Sequence, residues 1–206
     1  MRGVVTICGR YTVFTEAEIV EMNAIVAEVT RRFADRPVTT GEIFPTDLAP
    51  VLWMEGGALA PKPMRWGFPK WDGKGVIINA RAETAMYKNM FRRPLLECRC
   101  VIPSTGFYEW RRTGGVKRKD KYLLRLPNAK MLYMAGMAGF FRDVAGKLSE
   151  AYCILTTAAS GSVGEIHDRM PVVLMPDELE GWLNDVGFVQ RVLGREGPEL
   201  VLGPVA

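Results

Sequence analysis

Four side chains in this 206-residue chain have types and settings that could do chemistry: Cys8 in ICGRY, Asn79 opening NARAET, Glu109 inside GFYEW and His167 in EIHDRMP. What Cys8 can do depends on the peptide bond that precedes it. With that bond intact it acts only through sulfur, as in a Cys-His hydrolase, with Arg10 nearby to favour the thiolate. With the bond cut, Cys8 carries a free α-amine beside its thiol. An amine of pKa near ~8 is partly unprotonated at neutral pH and condenses with an aldehyde. The adjacent thiol then closes a five-membered thiazolidine, favoured by proximity. Strand alternation in GFYEW puts Glu109 on the face of Phe107 and not of Tyr108 and Trp110. Buried there, its carboxyl would be raised toward the range of a general acid, unless it is simply a salt-bridged strand glutamate. His167 is the single histidine of the chain. It reads either as a hydrogen-bonded structural residue or as a proton carrier, and Asn79 either as a strand-end turn former or as a site residue.

The scarcity of other ligands narrows the chemistry. One histidine excludes a histidine-rich metal site, and the cysteines Cys8, Cys98, Cys100 and Cys153 contain no Cys-x-x-Cys pair. A zinc site from Cys98, Cys100, Cys153 and His167 would need three distant segments to converge. The cysteines after Cys8 read instead as small hydrophobes in β-like runs. No metal and no cofactor is expected, nor is a disulfide framework.

The elements that must position these residues are mostly strands. Apolar residues Ile19, Met22, Ile25, Val26, Val29 and Phe33 recur at helical spacing, so a helix is expected from Thr15 to Phe33, opened by a Thr15/Glu18 capping box. After it come short β-rich runs at 50–54, 75–79, 98–103, 106–111, 121–126, 131–140, 151–157 and 171–175. Ala82–Phe91 and Pro176–Asn184 read as short helices. No repeat or linker divides the chain. The expected fold is a single α+β domain with a mostly antiparallel β core.

The net charge of +4 is uneven, because residues 165–206 hold eight acids against three bases and leave +9 on 1–164. Arg111 to Arg125 holds seven Lys/Arg and one acid, Asp120, around Gly114-Gly115, which reads as a basic hairpin tip. Trp66 and Trp71 fall in a Pro/Gly-rich loop, RWGFPKWDGKG. Exposed aromatics beside cations suit single-stranded nucleic acid, although core packing is the usual fate of a tryptophan. The longest apolar stretch, Met131–Phe141, falls far short of the roughly 20 residues that span a bilayer. With no signal-peptide region either, a cytoplasmic protein without membrane contact is expected.

The ordered motifs CGRY at 8–11, NARAET at 79–84, GFYEW at 106–110 and IHDRMPVVL at 166–174 resemble those of the SOS response-associated peptidase family, the abasic-site processing proteins. The resemblance runs from Cys8 to about Leu193. It implies a distorted antiparallel β-barrel-like core with flanking helices and a positively charged groove. It also implies a DNA-repair protein, acting at the nucleoid, that crosslinks covalently to abasic sites in single-stranded DNA and needs no obligatory protein partner. In that reading Cys8 supplies the amine and thiol, and Asn79 positions the adduct. Glu109 opens the deoxyribose as acid and base, with His167 assisting proton transfer. Arg10 and Arg81 hold phosphates, Pro45 and Trp71 lie against flanking bases, and Thr156 is a polar neighbour of the site.

Two features depart from the family. Members begin Met-Cys-Gly-Arg, whereas MRGVVTI precedes Cys8 here. A start placed too far upstream, an extension added for expression, and self-cleavage compete as explanations. Residues 1–7 are expected to be absent or removed in the active form, leaving 8–206 as the domain. The tail after Leu193 is short and acidic for the family. Beside the crosslinking, lyase-type reading stand two others: a thiol (auto)peptidase using Cys8 and His167, and a noncatalytic single-strand nucleic-acid binding module.

Overall fold

The computed structural model describes residues 8–112, 119–142 and 148–205. The first part contains β1 (Arg10–Val13), α1 (Val20–Arg32), β2 (Gly41–Ile43), β3 (Leu48–Glu55), β4 (Ala58–Trp66), β5 (Phe68–Pro69), β6 (Val76–Ile77) and β7 (Asn79–Arg81). Then follow α2 (Ala82–Ala85), α3 (Asn89–Glu97), β8 (Arg99–Ser104), β9 (Gly106–Arg112), β10 (Lys119–Arg125), β11 (Leu132–Arg142) and β12 (Leu148–Ala158). The last part holds α4 (Gly161–Gly164), β13 (Arg169–Pro171), β14 (Val173–Leu174), α5 (Leu179–Asn184), α6 (Val186–Leu193) and β15 (Val201–Val205). No helix among the described residues is long and apolar enough to cross a membrane.

Strands β12, β4, β3, β8 and β11 form a ring that closes where β11 pairs with β12. All its pairings are antiparallel except β12 with β4, where Ala151 lies beside Arg65 and Tyr152 beside Trp66 in parallel. The expected barrel-like α+β domain is therefore present, in mixed form. A second, fully antiparallel sheet runs β15-β10-β9-β1-β2. The chain passes from barrel to second sheet at Ser104–Gly106. Thr105 clips that corner to β1 by donating its N–H to the Thr12 carbonyl at 2.9 Å, while the two threonine hydroxyls lie 2.7 Å apart. Gly106 is required there, because at φ +151° a Cβ would meet the Leu124 carbonyl oxygen at 2.7 Å.

Between the two sheets Tyr11 packs edge-on against Trp66, which stacks on Tyr152, and the two tyrosine hydroxyls meet at 2.5 Å. Trp66 is fully buried and donates its indole N–H to the Ile78 carbonyl at 3.1 Å, so it belongs to the core and not to the loop that holds Trp71.

Several expected boundaries move for physical reasons. Helix α1 begins at Val20, with Ile19 at its N-cap and no side-chain cap; the Thr15/Glu18 capping box does not form. The preceding residues turn instead, with Ile19 donating its N–H to the Glu16 carbonyl. The helix expected over 82–91 is two, because Lys88 is extended between α2 and α3. The runs at 75–79 and 171–175 each break where one residue serves other strands. Ile78 accepts from Ile154, and Val172 donates to Leu155 while accepting from Ala135. Strand β4, with Pro61 and Pro63, did not read as a strand. It tolerates them because β12 joins it only at Arg65–Trp66, and guanidinium groups of Arg32 and Arg36 take the Pro61 and Pro63 carbonyls.

Candidate functional site

The upstream end of β1 delivers Cys8 to Glu109. With Arg10 opposite Tyr108 and Tyr11 opposite Phe107, the two residues before β1 run beside the middle of β9. Cys8 is buried and adopts φ +45°, a left-handed conformation costly for a side chain bearing a Cβ. Its backbone nitrogen donates to Glu109 Oε1 at 2.6 Å. Glu109 is on the Phe107 face, as alternation requires, and only 3% exposed. Burial pushes its carboxyl above the usual range. The Cys8 N–H, the charge of His167, the Cys8 thiol and the Trp110 N–H pull the other way without cancelling the shift.

The Cys8 thiol is held protonated. Burial raises it well above its ordinary value, the Glu109 charge and hydrogen bond raise it further, and Arg169 opposes them. Arg10 therefore does not make a thiolate here. Its guanidinium sits with Trp110, on the other face from Glu109, pairing with Glu42 at 2.9 Å and lying 4.6 Å from the Phe44 ring centre and 5.0 Å from that of Trp110.

His167 follows α4, its N–H bonded to the Val163 carbonyl at 3.0 Å. Its Nδ1 accepts the Arg169 N–H at 3.1 Å and lies 2.8 Å from Asp168 Oδ1. These contacts suit different protonation states. The amide N–H needs a lone pair on Nδ1, whereas the carboxylate needs a proton there, so both the neutral and the charged ring have a partner.

Arg169 is the site residue that the sequence reading missed. Its guanidinium grips Glu83 with two bonds of 2.5 and 2.9 Å and donates to the Thr156 carbonyl at 2.6 Å. The signal was available: in an extended run, Arg169 lies two residues from His167 and so on the same side, within a motif already singled out. Thr156, fully buried, lies beside Arg81 on one flank and Pro171 on the other. The same parallel pairing sets Asn79, half-buried, beside Ile154, while Arg81 is exposed. The structure thus brings Cys8, Glu109, His167 and Arg169 into electrostatic contact, and Arg169 ties that group to Thr156 and the β7 strand of Asn79 and Arg81.

Two residues stand apart. Trp71 is 99% exposed, at the end of the β5–β6 hairpin that leads into Asn79. Pro45 is half-buried in a turn closed by the Asp47 N–H on the Phe44 carbonyl. The basic run forms the facing arms of β9 and β10, and its tip at 113–118 lies outside the described residues. Cys100 and Cys153 are buried in barrel strands and Cys98 is half-buried, all as free thiols. Among the described residues no three His, Cys, Asp or Glu side chains are grouped to hold a metal ion.

A closed mixed barrel joined to a second sheet is an architecture with solved counterparts. A crystal structure of a protein from Bacteroides thetaiotaomicron superposes with a TM-score of 0.80 at 23% identity, covering 97% of this chain and 92% of that one. The chain belongs to the SOS response associated peptidase (SRAP) family, which matches residues 7–194. The Bacillus subtilis abasic site processing protein YoqW is 33% identical over 202 residues, covering 90% of this chain and 86% of its own. YedK of Escherichia coli, also named an abasic site processing protein, is 29% identical over 199 residues, covering 94% and 84%. The rat abasic site processing protein HMCES matches at 29% over 156 residues, or 59% of this chain and 44% of its own.

Proposed function

We propose that this protein processes abasic sites in single-stranded DNA by covalent capture on Cys8 once residues 1–7 are absent or removed. One observation carries the reading: the Cys8 nitrogen donates to Glu109 Oε1 at 2.6 Å, beside a thiol kept protonated. A carboxylate at that distance takes a proton from the ammonium and leaves a nucleophilic amine. The relatives named abasic site processing proteins support an abasic site as the substrate.

Glu109 first relays the proton that opens the deoxyribose hemiacetal to its aldehyde. The Cys8 amine then adds to the carbonyl carbon, and the resulting carbinolamine loses one water, with His167 supplying and recovering protons. The sulfur adds to the imine carbon, its proton moves to nitrogen, and the ring closes. One water leaves and nothing is oxidised or reduced. Asn79 positions the adduct, Thr156 is a polar neighbour, Arg10 and Arg81 meet phosphates, and Pro45 and Trp71 meet flanking bases.

A thiol peptidase would attack through a thiolate, and burial together with the Glu109 charge disfavours that form. Removal of residues 1–7 by the chain itself would require another route, with Glu109 as the nearest base to the Cys8 nitrogen.

The test is denaturing electrophoresis of protein beginning at Cys8 mixed with a single strand carrying one abasic site. A shifted band that vanishes in Cys8→Ala is expected. No band, or an equal band from Cys8→Ala, overturns the proposal. Self-removal is read separately from intact mass: active material should lack residues 1–7, and retention of the full mass in it would sink self-cleavage.

A further inference from the structure

The outer face of the second sheet carries a charge arrangement that the covalent chemistry does not use. On β2, Glu42 sits opposite Thr12 of β1. Its carboxylate reaches Arg10 Nη1 at 2.9 Å and Lys121 Nζ at 2.9 and 3.1 Å through its two oxygens. Lys121 stands opposite Trp110, and Arg10 opposite Tyr108, so both cations share the face of those two rings. The Lys121 ammonium lies 3.8 Å from the Tyr108 ring centre, and the Arg10 guanidinium stands over Phe44, which is 41% exposed. Cations laid on aromatic faces are what a single strand binds: phosphates meet the charges and bases meet the rings. An acid between two such cations works against that.

We propose that Glu42 is a specificity-determining residue, a counter-charge that occupies Arg10 and Lys121 until a DNA phosphate replaces it and so weakens the hold on undamaged strands. The inference rests on the reading of Arg10 as a phosphate contact and adds Lys121 to the same surface.

The electrostatics agree. Burial alone would raise the Glu42 carboxyl, but the hydrogen bonds from Lys121 and Arg10 outweigh it and the carboxyl titrates below its ordinary range, so the ion pairs persist at neutral pH. The three side chains retain 24–38% of their exposure, which leaves the cluster open to an incoming phosphate. Non-covalent residence on DNA comes chiefly from phosphate contacts and does not distinguish damaged from intact strands. Covalent capture depends on Cys8 and an aldehyde. Weakening the first without altering the second directs the protein toward lesions.

The experiment is equilibrium binding of the whole chain to undamaged oligothymidine across a salt titration, where no aldehyde exists and crosslinking plays no part. Glu42→Gln should bind about five-fold tighter at low salt, and the slope of log K against log salt should steepen by about 0.7, the value for one more available charge on a single strand. Glu42→Asp, which keeps the charge, should retain the parent slope. Lys121→Gln should bind more weakly with a flatter slope. Unchanged or weaker binding by Glu42→Gln at the parent slope overturns the proposal, since Glu42 would then merely orient Arg10. If Glu42→Gln fails to melt cooperatively, the Lys121→Gln slope decides, and no change in it also overturns the proposal. Loss of crosslinking with these slopes as expected would sink the proposed function and leave the Glu42 assignment standing; the reverse result would do the opposite.

Discussion

Arg99 and Glu109 stand on consecutive strands, β8 and β9, and both are charged side chains almost out of water, at 7% and 3% exposure. Their partners differ in kind. Arg99 donates to the carbonyls of Leu95 at 3.0 Å, Leu96 at 2.6 Å, Trp182 at 2.5 Å and Leu183 at 2.8 Å. These carbonyls belong to the ends of α3 and α5, where helix dipoles present partial negative charge and otherwise lack partners. Glu109 meets the Cys8 nitrogen, the Cys8 thiol and the charge of His167. The carbonyls that hold Arg99 have no proton to exchange, whereas Glu109 lies among an imidazole and, once residues 1–7 are gone, an amine, which are groups of the kinds that transfer protons. Burial of a charge alone therefore does not mark a site. A buried charge among groups that can change protonation does.

The largest effect should come from breaking the structural member of this pair. Arg99→Met leaves four carbonyls, three of them buried, without their donor, and the expected loss is about 4 kcal/mol of stability. In a chain of this length that lowers the melting temperature by roughly 10 °C. Crosslinking per folded molecule should stay at the parent level. Glu109→Gln should behave inversely, slowing crosslink formation about a hundred-fold, as expected for loss of an acid–base group, with a melting temperature equal to the parent or higher. A large fall in melting temperature for Glu109→Gln would erase the contrast and make Glu109 another structural charge.

Much of this contrast was legible in the sequence, and the parts that were not share a cause. Alternation alone put Glu109 on the Phe107 face, and rarity singled out His167. The β-rich runs are strands because each buries one face or both against a neighbouring layer. Reading failed where the structure depends on long-range partners. Arg99 looks like any charged residue beside a cysteine until α3 and α5 bring carbonyls to it. Arg169 needs Glu83 and Thr156, from other elements, before its place at the site is visible. Strand β4 hides behind two prolines that only its position in the barrel accommodates. Arg10, near Cys8 in sequence, faces Trp110 because alternation turns it away from Glu109.

Stability against pH sharpens the comparison further. Because the folded state raises the Glu109 carboxyl, it binds that proton more tightly than the unfolded chain does. Glu109 therefore favours folding most below the ordinary carboxylate range, and that contribution disappears as pH rises through its raised value. Glu83 and Glu178, lowered by hydrogen bonds from Arg169 and Arg195, act in the opposite sense and lose their contribution as pH falls. The difference in melting temperature between the parent and Glu109→Gln, followed across pH, isolates the first effect. The parent should lose ground to Glu109→Gln with rising pH, and a flat difference would mean that Glu109 is not perturbed by its burial.

The smallest effect concerns two tryptophans five positions apart, which repeat the contrast in apolar form. Trp66 is fully buried, with its indole N–H satisfied by Ile78, while Trp71 is 99% exposed beside Lys70 at the end of a hairpin leading into Asn79. A side chain with no packing partners contributes little to folding, so Trp71→Ala should leave stability within about 0.5 kcal/mol of the parent. If the ring stacks on a base, its loss should weaken binding to a single strand by about 1 kcal/mol, or five-fold, because an aromatic platform serves any base. A paired thermal melt and oligothymidine titration separates the outcomes. Weaker binding at unchanged stability places Trp71 with Glu109 among residues kept for a ligand. Lower stability at unchanged binding would instead put it with Trp66 and Arg99, as a residue that the fold completes on its own.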